Sequence, residues 1–178
     1  MPFALSLAAD NATADPLRAL WDEFAAFERA PSQRGLGYRP HVTLAIYEGD
    51  AIDEAAALRA LESAAQGERA VRLVFDRIAT FEDDLLVFWA APRPNEALNR
   101  LHRAIHSQID QACCHVHYRP RQWTPHATLA SDIDPAQAAK ARALAAAFSG
   151  VVTVDFDLLD CISFRPVRIV GTRRLSPQ

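Results

Sequence analysis

The sequence predicts a single α+β domain, residues 1–178, in which a β-α-β-α-β unit occurs twice. Extended and helical hydrophobic patterns alternate in the same order in both halves of the chain. One phrase also occurs in each half, first at residues 40–45 as Pro-His-Val-Thr-Leu-Ala and again at residues 125–130 as Pro-His-Ala-Thr-Leu-Ala. Five identical letters at a chosen place arise by chance about once in a million, so duplication is the better explanation.

The first half, about residues 1–83, begins with a strand over Phe3–Ala8 and a helix that starts at Asp15-Pro16. A capping carboxylate followed by proline favours a helix start, and we expect this helix to continue to about Arg29. Its apolar residues recur at three- and four-residue steps, which predicts one buried face. The other elements of this half are a strand that carries His41, a helix over residues 52–66 and a strand over residues 71–81.

The second half, about residues 84–178, repeats this order. Its elements are a strand over residues 85–91, a helix over residues 96–111, a strand that carries His126, a helix after Asp134-Pro135, a strand over residues 151–159 and a closing strand over residues 167–175. No disordered linker separates the halves. We therefore expect two lobes with the active-site cleft between them, where ligand pockets tend to form.

The repeated phrase combines two side chains with useful chemistry. Side chains two apart on a strand share a face, which places His41 beside Thr43 and His126 beside Thr128. Histidine exchanges a proton near neutral pH, and a threonine hydroxyl can hold a phosphate oxygen. Either motif alone is equally consistent with a core histidine and an ordinary strand threonine. Two matched copies favour a site in which the histidines are acid and base and the threonines stabilise charge at phosphorus.

The composition limits the possible functions. The net charge of −3 argues against binding to long nucleic-acid duplexes, which requires many unopposed cations. The only lysine, Lys140, lies on a predicted polar helix face, which argues against a ligase that forms a covalent lysine adduct. The adjacent Cys113 and Cys114 and the odd total of three cysteines indicate a reducing compartment. With no signal-peptide pattern and no membrane-spanning stretch, we expect a cytoplasmic protein.

The paired motifs in a duplicated frame resemble the 2H phosphoesterase superfamily, in particular its bacterial 2′-5′ RNA ligase-like (LigT-like) members. The resemblance implies a bilobal fold with an antiparallel, barrel-like sheet core and outer helices. It also implies metal-independent chemistry, without a cofactor, on 2′,3′-cyclic or 2′-5′ phosphodiester bonds of nucleotides or short RNA. Many RNA ligase-like members carry an arginine soon after the second motif. This chain has Ser131-Asp132 there, which favours a substrate smaller than tRNA.

Six further residues are weaker candidates for substrate binding, each with an ordinary structural alternative. The aromatic residues could stack on a base or pack in the core, and the arginines could contact a terminal phosphate or lie in solvent. These candidates are Tyr38, Tyr47, Trp123, Arg119, Arg121 and Arg165.

Four other histidines raise the possibility of a metal site. His102 and His106 are four apart on a predicted helix, and His115 and His117 alternate in an extended stretch. No HExxH or paired CxxC pattern accompanies them, so we interpret them as surface side chains and expect no metal.

We therefore expect a monomeric phosphoesterase that binds a nucleotide or short RNA, with no membrane partner. The sequence leaves two alternatives open. The protein could be a nucleotide or RNA-end binding module without turnover, or it could join 2′-5′ bonds reversibly. A scaffold with a vestigial cavity is disfavoured because both threonines accompany both histidines.

Overall fold

Two four-stranded antiparallel sheets form the framework of the computed structural model, which describes residues 2–49, 51–82, 84–164 and 166–177. One sheet is curled into a half-barrel, and helices cover the sheets. The strands are β1 (Phe3–Ala8), β2 (His41–Tyr47), β3 (Val71–Glu82), β4 (Leu86–Pro92), β5 (Ala127–Ala130), β6 (Val152–Phe156), β7 (Leu158–Ser163) and β8 (Arg168–Arg174). The helices are α1 (Asp15–Ala25), α2 (Ser32–Gly35), α3 (Glu54–Ala65), α4 (Glu96–His106) and α5 (Ala138–Ala147). The predicted α+β class with antiparallel, barrel-like sheets is confirmed.

The sheets exchange strands between the two halves of the sequence. The first sheet has the order β2-β1-β7-β8 and the second has the order β5-β4-β3-β6. The last strand of the first half, β3, therefore pairs with β4 of the second half, while β7 of the second half pairs with β1. Because β3 and β4 are paired with each other, the second sheet contains strands from both halves of the chain.

This exchange explains the one strand that was predicted wrongly. The predicted strand over residues 151–159 is two strands, because β6 pairs with β3 in the second sheet and β7 pairs with β1 in the first. The chain passes between the sheets at Asp157, whose carboxylate accepts hydrogen bonds from Asn11 and Arg174. β6 alternates between buried and more exposed residues, whereas every residue of β7 is buried, and the apolar side chains continue across the crossing without a turn residue such as glycine or proline.

Helix α1 buries the predicted apolar face, with Leu17, Leu20, Trp21 and Phe24 all at most 6% exposed. It ends at Ala25, four residues before the predicted end. The main chain after it pairs with the segment that follows the second motif, because Arg29 donates to the carbonyl of Asp132 and Asp134 donates to the carbonyl of Phe27. These long-range hydrogen bonds replace the last helical turn. Helix α4 likewise ends early, at His106.

The helices cross over in the same way as the strands. Helix α1 of the first half packs against β5 of the second, and α4 of the second half packs against β2 of the first. Each motif strand is thus supported by a helix from the other half. All three cysteines are free thiols. In the described ranges no helix has the length and apolarity needed to cross a membrane.

Candidate functional site

Both repeated motifs lie on the edge strands that bring the two sheets together. His41 is the first residue of β2, and His126 directly precedes β5. The two strands contact each other, and together His41, Thr43, His126 and Thr128 line one cavity of about 620 Å³. We name it the site cavity. The structure therefore brings together the four residues that the duplicated phrase singles out.

A β-bulge follows the threonine of each motif. Thr43 pairs with Ser6 and Ala45 with Leu5, which leaves Leu44 as the extra residue of β2. In the second sheet Thr128 pairs with Trp89 and Ala130 with Phe88, which leaves Leu129 as the extra residue of β5. Bulges re-aim the side chains that follow them. The repeated phrase thus encodes the same local distortion twice.

The bulge corrects the prediction for Tyr47. On a regular strand Tyr47 would share a face with His41, but the extra residue reverses the alternation. Ile46 therefore lines the site cavity, whereas Tyr47 is 1% exposed and packs in the core.

The two imidazole rings are held in the same way. Nδ1 of His41 lies 2.9 Å from the carbonyl oxygen of Arg39, and Nδ1 of His126 lies 2.7 Å from that of Thr124. A carbonyl oxygen can only accept, so each Nδ1 carries the hydrogen that it donates. Nε2 is then the atom at which each ring takes up a proton when it is neutral and releases one when it is protonated.

Burial lowers the pKa of both motif histidines below the ordinary imidazole value of 6.5. In each case the backbone hydrogen bond opposes the effect of burial. A positive charge on His126 lowers the pKa of His41 further, whereas the carboxylate of Asp160 raises it. Because positive charges on the two imidazole rings repel each other, protonation of one ring favours the neutral form of the other. The pair is suited to hold one proton between two sites.

Two tryptophans fix the motif strands from behind. Nε1 of Trp123 donates to the carbonyl of Thr43 at 3.0 Å, and Nε1 of Trp21 donates to the carbonyl of Thr128 at the same distance. Trp123 also stacks flat on His102, with ring centroids 4.0 Å apart and planes at 3°. Trp123 does not line the site cavity, and these protein contacts engage its ring, so the geometry does not favour the predicted stacking on a base.

Tyr38 is also buried, and its ring packs against His41. It is 8% exposed, its hydroxyl donates to Asp160 at 2.7 Å, and its ring centroid lies 4.8 Å from that of His41. It does not line the site cavity. It precedes β2 and packs in a buried cluster with Ala8 and Leu158, which corrects the stacking prediction.

The predicted arginines contribute no described group to the site cavity. Arg119 donates to the carbonyls of Cys114 and Ala112 and so holds its own loop together. Arg121 is exposed, has a left-handed φ of 75° and is not among the lining residues. Arg165 lies outside the described residues. After the second motif, Asp132 pairs with Arg29 at 2.5 Å while Ser131 lines the cavity.

All four remaining histidines were predicted to lie on the surface, but two of them are buried and the other two line the site cavity. His102 and His106 are only 4% and 6% exposed, because α4 packs against β2 on the side where they lie. His115 and His117 line the site cavity, with ring centroids 5.2 Å apart. The two-residue spacing of His115 and His117 was the sequence signal that could have predicted a shared position in the cavity.

Three aromatic rings surround His126, and two of them line the cavity. The Phe81 centroid lies 5.1 Å from that of His126, edge to face, and Phe81 stacks on Trp89 at 4.8 Å. Tyr118 lies 6.5 Å from His126. Phe81 reaches this position through the pairing of β3 with β4, so no local sequence signal could have identified it.

The wall of the site cavity carries few charged side chains among the described residues. Among the described residues that line it, the acidic ones are Glu48 and Asp84, and neither lysine nor arginine is present. The four histidines are the only lining side chains there that can become cationic. No group of three histidine, cysteine or acidic side chains within the described ranges is arranged to hold a metal ion.

Comparison with known proteins identifies the family of this chain. Residues 11–165 match the model of the 2′-5′ RNA ligase superfamily. The chain belongs to this superfamily. The resemblance to 2H phosphoesterases inferred from the duplicated motif is thereby confirmed. No curated protein matches the sequence of this superfamily member significantly.

Solved structures with the same fold cover nearly the whole superfamily member. E. coli LigT complexed with 3′-AMP has a TM-score of 0.64 and 17% identity, covering 98% of this chain and 99% of LigT. TT0787 of Thermus thermophilus has a TM-score of 0.63 and 14% identity, with full coverage of both chains. The MHV ns2 PDE domain has a TM-score of 0.52 and 14% identity, covering 96% of this chain and 99% of that domain. These similarities show the fold.

Proposed function

We propose that this protein is a metal-independent phosphoesterase that cleaves 2′,3′-cyclic phosphate or 2′-5′ phosphodiester bonds by two-histidine acid-base catalysis. The observation that carries the proposal is the shared cavity lined by His41, Thr43, His126 and Thr128. Each histidine is anchored at Nδ1 by a backbone carbonyl, which keeps Nε2 for the substrate. Matched halves on two facing strands suit an attacking and a leaving oxygen on opposite sides of phosphorus.

Hydrolysis of a cyclic phosphate needs one neutral and one protonated imidazole. The neutral ring accepts a proton from water as the water oxygen bonds to phosphorus. The protonated ring donates its proton to the ribose oxygen as the bond from that oxygen to phosphorus breaks, so the number of protons on the pair is unchanged. The hydroxyls of Thr43 and Thr128 donate hydrogen bonds to the non-bridging oxygens, where negative charge grows in the transition state.

The cavity favours a small substrate with one phosphodiester group. Its volume of about 620 Å³ lies within the usual range for small-molecule sites. Additional phosphates would meet Glu48 and Asp84 without an opposing lysine or arginine among the described lining residues. Phe81, Leu85 and Phe164 offer apolar surface to a base. Structures of E. coli LigT with 3′-AMP and with ATP support a nucleotide as the ligand class.

We further propose that the enzyme acts as a monomer in the cytoplasm. The free thiols of Cys113 and Cys114 are compatible with a reducing compartment.

A panel of substrates tests the function. Product formation is measured from the four 2′,3′-cyclic mononucleotides and from short 2′-5′ oligonucleotides in EDTA, for the wild type, His41→Ala and His126→Ala. We expect a loss of about a hundredfold or more in each variant, which is the contribution of one general acid or base. Thr153→Ala, at an exposed position on β6, is the control that should retain full activity.

The outcomes separate the candidate functions. Turnover that persists in either histidine variant contradicts the proposal. Nucleotide binding without product in the wild type identifies a binding module. Formation of 2′-5′ bonds from cyclic phosphate and 5′-hydroxyl ends, lost in the same two variants, identifies the ligating direction of the same site.

A further inference from the structure

Asp160 is a completely buried carboxylate on β7, with 0% exposure. Three groups satisfy it. The hydroxyl of Tyr38 donates at 2.7 Å, the hydroxyl of Thr172 donates at 2.6 Å, and Nε of Arg39 lies 3.1 Å away as an ion pair. A buried charge is costly unless it is paired and hydrogen-bonded, so this arrangement maintains a fixed negative charge inside the first sheet.

This network leads directly to His41. The carbonyl of Arg39 accepts the Nδ1 hydrogen of His41, and the ring of Tyr38 packs 4.8 Å from the imidazole. Burial and the charge of Asp160 both raise the pKa of Tyr38, which keeps its hydroxyl protonated and donating. Two neighbours of His41 in sequence therefore both connect it to one buried carboxylate.

The second sheet has no counterpart of this network at the matching positions. In the first sheet the row of paired residues that starts at Thr43 continues through Ser6 and Asp160 to Thr172. In the second sheet the row that starts at Thr128 continues through Trp89 to Ala79. Ala79 thus occupies the place of Asp160, and an apolar row replaces a polar one.

The surroundings of the two histidines differ accordingly. His126 is close to the rings of Phe81, Trp89 and Tyr118. Burial and the hydrogen bond to Thr124 act on its pKa, whereas the charge of Asp160 raises the pKa of His41 alone in this pair. The duplication has diverged in a way that distinguishes the two halves of the site.

We propose that Asp160 is a positioning residue that acts through Arg39 and Tyr38 to hold the His41 imidazole in place and to increase its affinity for a proton. This inference rests on the proposed function. Among the described residues, other charged or titratable groups also face this region. Asp10 pairs with Arg39 at 3.5 Å, and His41 shares the site cavity with His126, His115, His117, Glu48 and Asp84. Asp10 is exposed and more distant, so its charge is weakened by solvent.

Titration of the two imidazoles by NMR tests the inference without turnover. Their ring signals are assigned with the His41→Ala and His126→Ala variants. In Asp160→Asn we expect the titration midpoint of His41 to fall by about one pH unit while that of His126 stays. In the active enzyme, the limb of the pH-rate profile that reports His41 should move to lower pH by the same amount, because this ring loses its proton earlier without the Asp160 charge.

Two further variants keep the result interpretable. Tyr38→Phe retains the ring but removes one donor to Asp160, and it should shift the midpoint of His41 only if the network acts on that ring. It also decides the question if Asp160→Asn does not fold. Asp155→Asn removes a partly exposed carboxylate on β6 that is paired with Arg72, and it should leave both midpoints unchanged.

The inference is overturned if His41 titrates as in the wild type in both Asp160→Asn and Tyr38→Phe, or if His126 is the ring that shifts. A failure of the proposed function appears differently, as a wild-type protein that forms no product from any substrate in the panel.

Discussion

Trp123 donates its indole hydrogen to the main-chain carbonyl of Thr43, 3.0 Å away, and so connects the loop before the second motif to the strand of the first. Trp21 makes the matching bond to Thr128 from helix α1. Each motif strand is therefore fixed by a side chain from the other half of the chain. The two halves of the site cannot move apart without breaking both bonds.

The first prediction concerns this support. Trp123→Phe keeps an aromatic ring beside His102 but leaves the Thr43 carbonyl without its donor. We expect the free energy of unfolding in urea to fall by about 1–2 kcal/mol. Trp89→Phe is the matched control, because Nε1 of Trp89 is buried with no hydrogen-bond partner in the described structure. An equal loss in both variants would mean that packing, and not the bond to Thr43, accounts for the effect.

The second prediction concerns the motif hydroxyls. Thr43→Val and Thr128→Val preserve side-chain shape and strand preference but remove the donor to a non-bridging oxygen. We expect kcat on a 2′,3′-cyclic nucleotide to fall about a hundredfold in each, with a smaller change in KM, because the bond strengthens in the transition state. Thr153→Val on the exposed face of β6 should not change kcat. Unchanged kcat in both motif variants would remove the threonines from the mechanism.

The third prediction is the pH dependence of kcat/KM, which reports groups of the free enzyme. The active form needs one neutral and one protonated histidine, and burial lowers the pKa of both below 6.5. The acid limb marks protonation of the base and the alkaline limb marks deprotonation of the donor. We therefore expect a bell-shaped profile with its maximum below the ordinary imidazole pKa of 6.5. A maximum above about pH 7 would show that other groups control the rate.

Local patterns were sufficient for the element order and for the two motifs, because strand alternation, helix periodicity and a repeated phrase are all properties of neighbouring residues. The bulges after Thr43 and Thr128, the break at Asp157 and the early end of α1 depend on partners far along the chain. Tyr47 was misplaced because one extra residue in β2 reverses every later side chain.

The supports of the site were missed for the same reason. Trp123 and Tyr38 stand near the motif histidines in sequence, and their contacts with Thr43, His102 and Asp160 arise only when α4 and β7 pack around β2 and its neighbour. Asp160 itself is one acidic residue in an apolar strand. Its connection to the site becomes visible only through the strand pairing, in which Thr43 pairs with Ser6 and Ser6 pairs with Asp160. Composition and spacing contain no trace of that row.

The fourth prediction concerns His102, whose pKa burial lowers to about 4. The unfolded chain binds a proton at this residue near the ordinary value of 6.5, whereas the folded protein resists protonation until about pH 4. Stability from the neutral ring is therefore complete above pH 6.5 and is lost as the pH falls toward 4. For the wild type, urea unfolding at about pH 7.5 and about pH 5 should show a decrease of about 2 kcal/mol from this residue. His102→Gln should show a correspondingly smaller decrease, and an identical pH dependence in both proteins would contradict the burial of a neutral imidazole against Trp123.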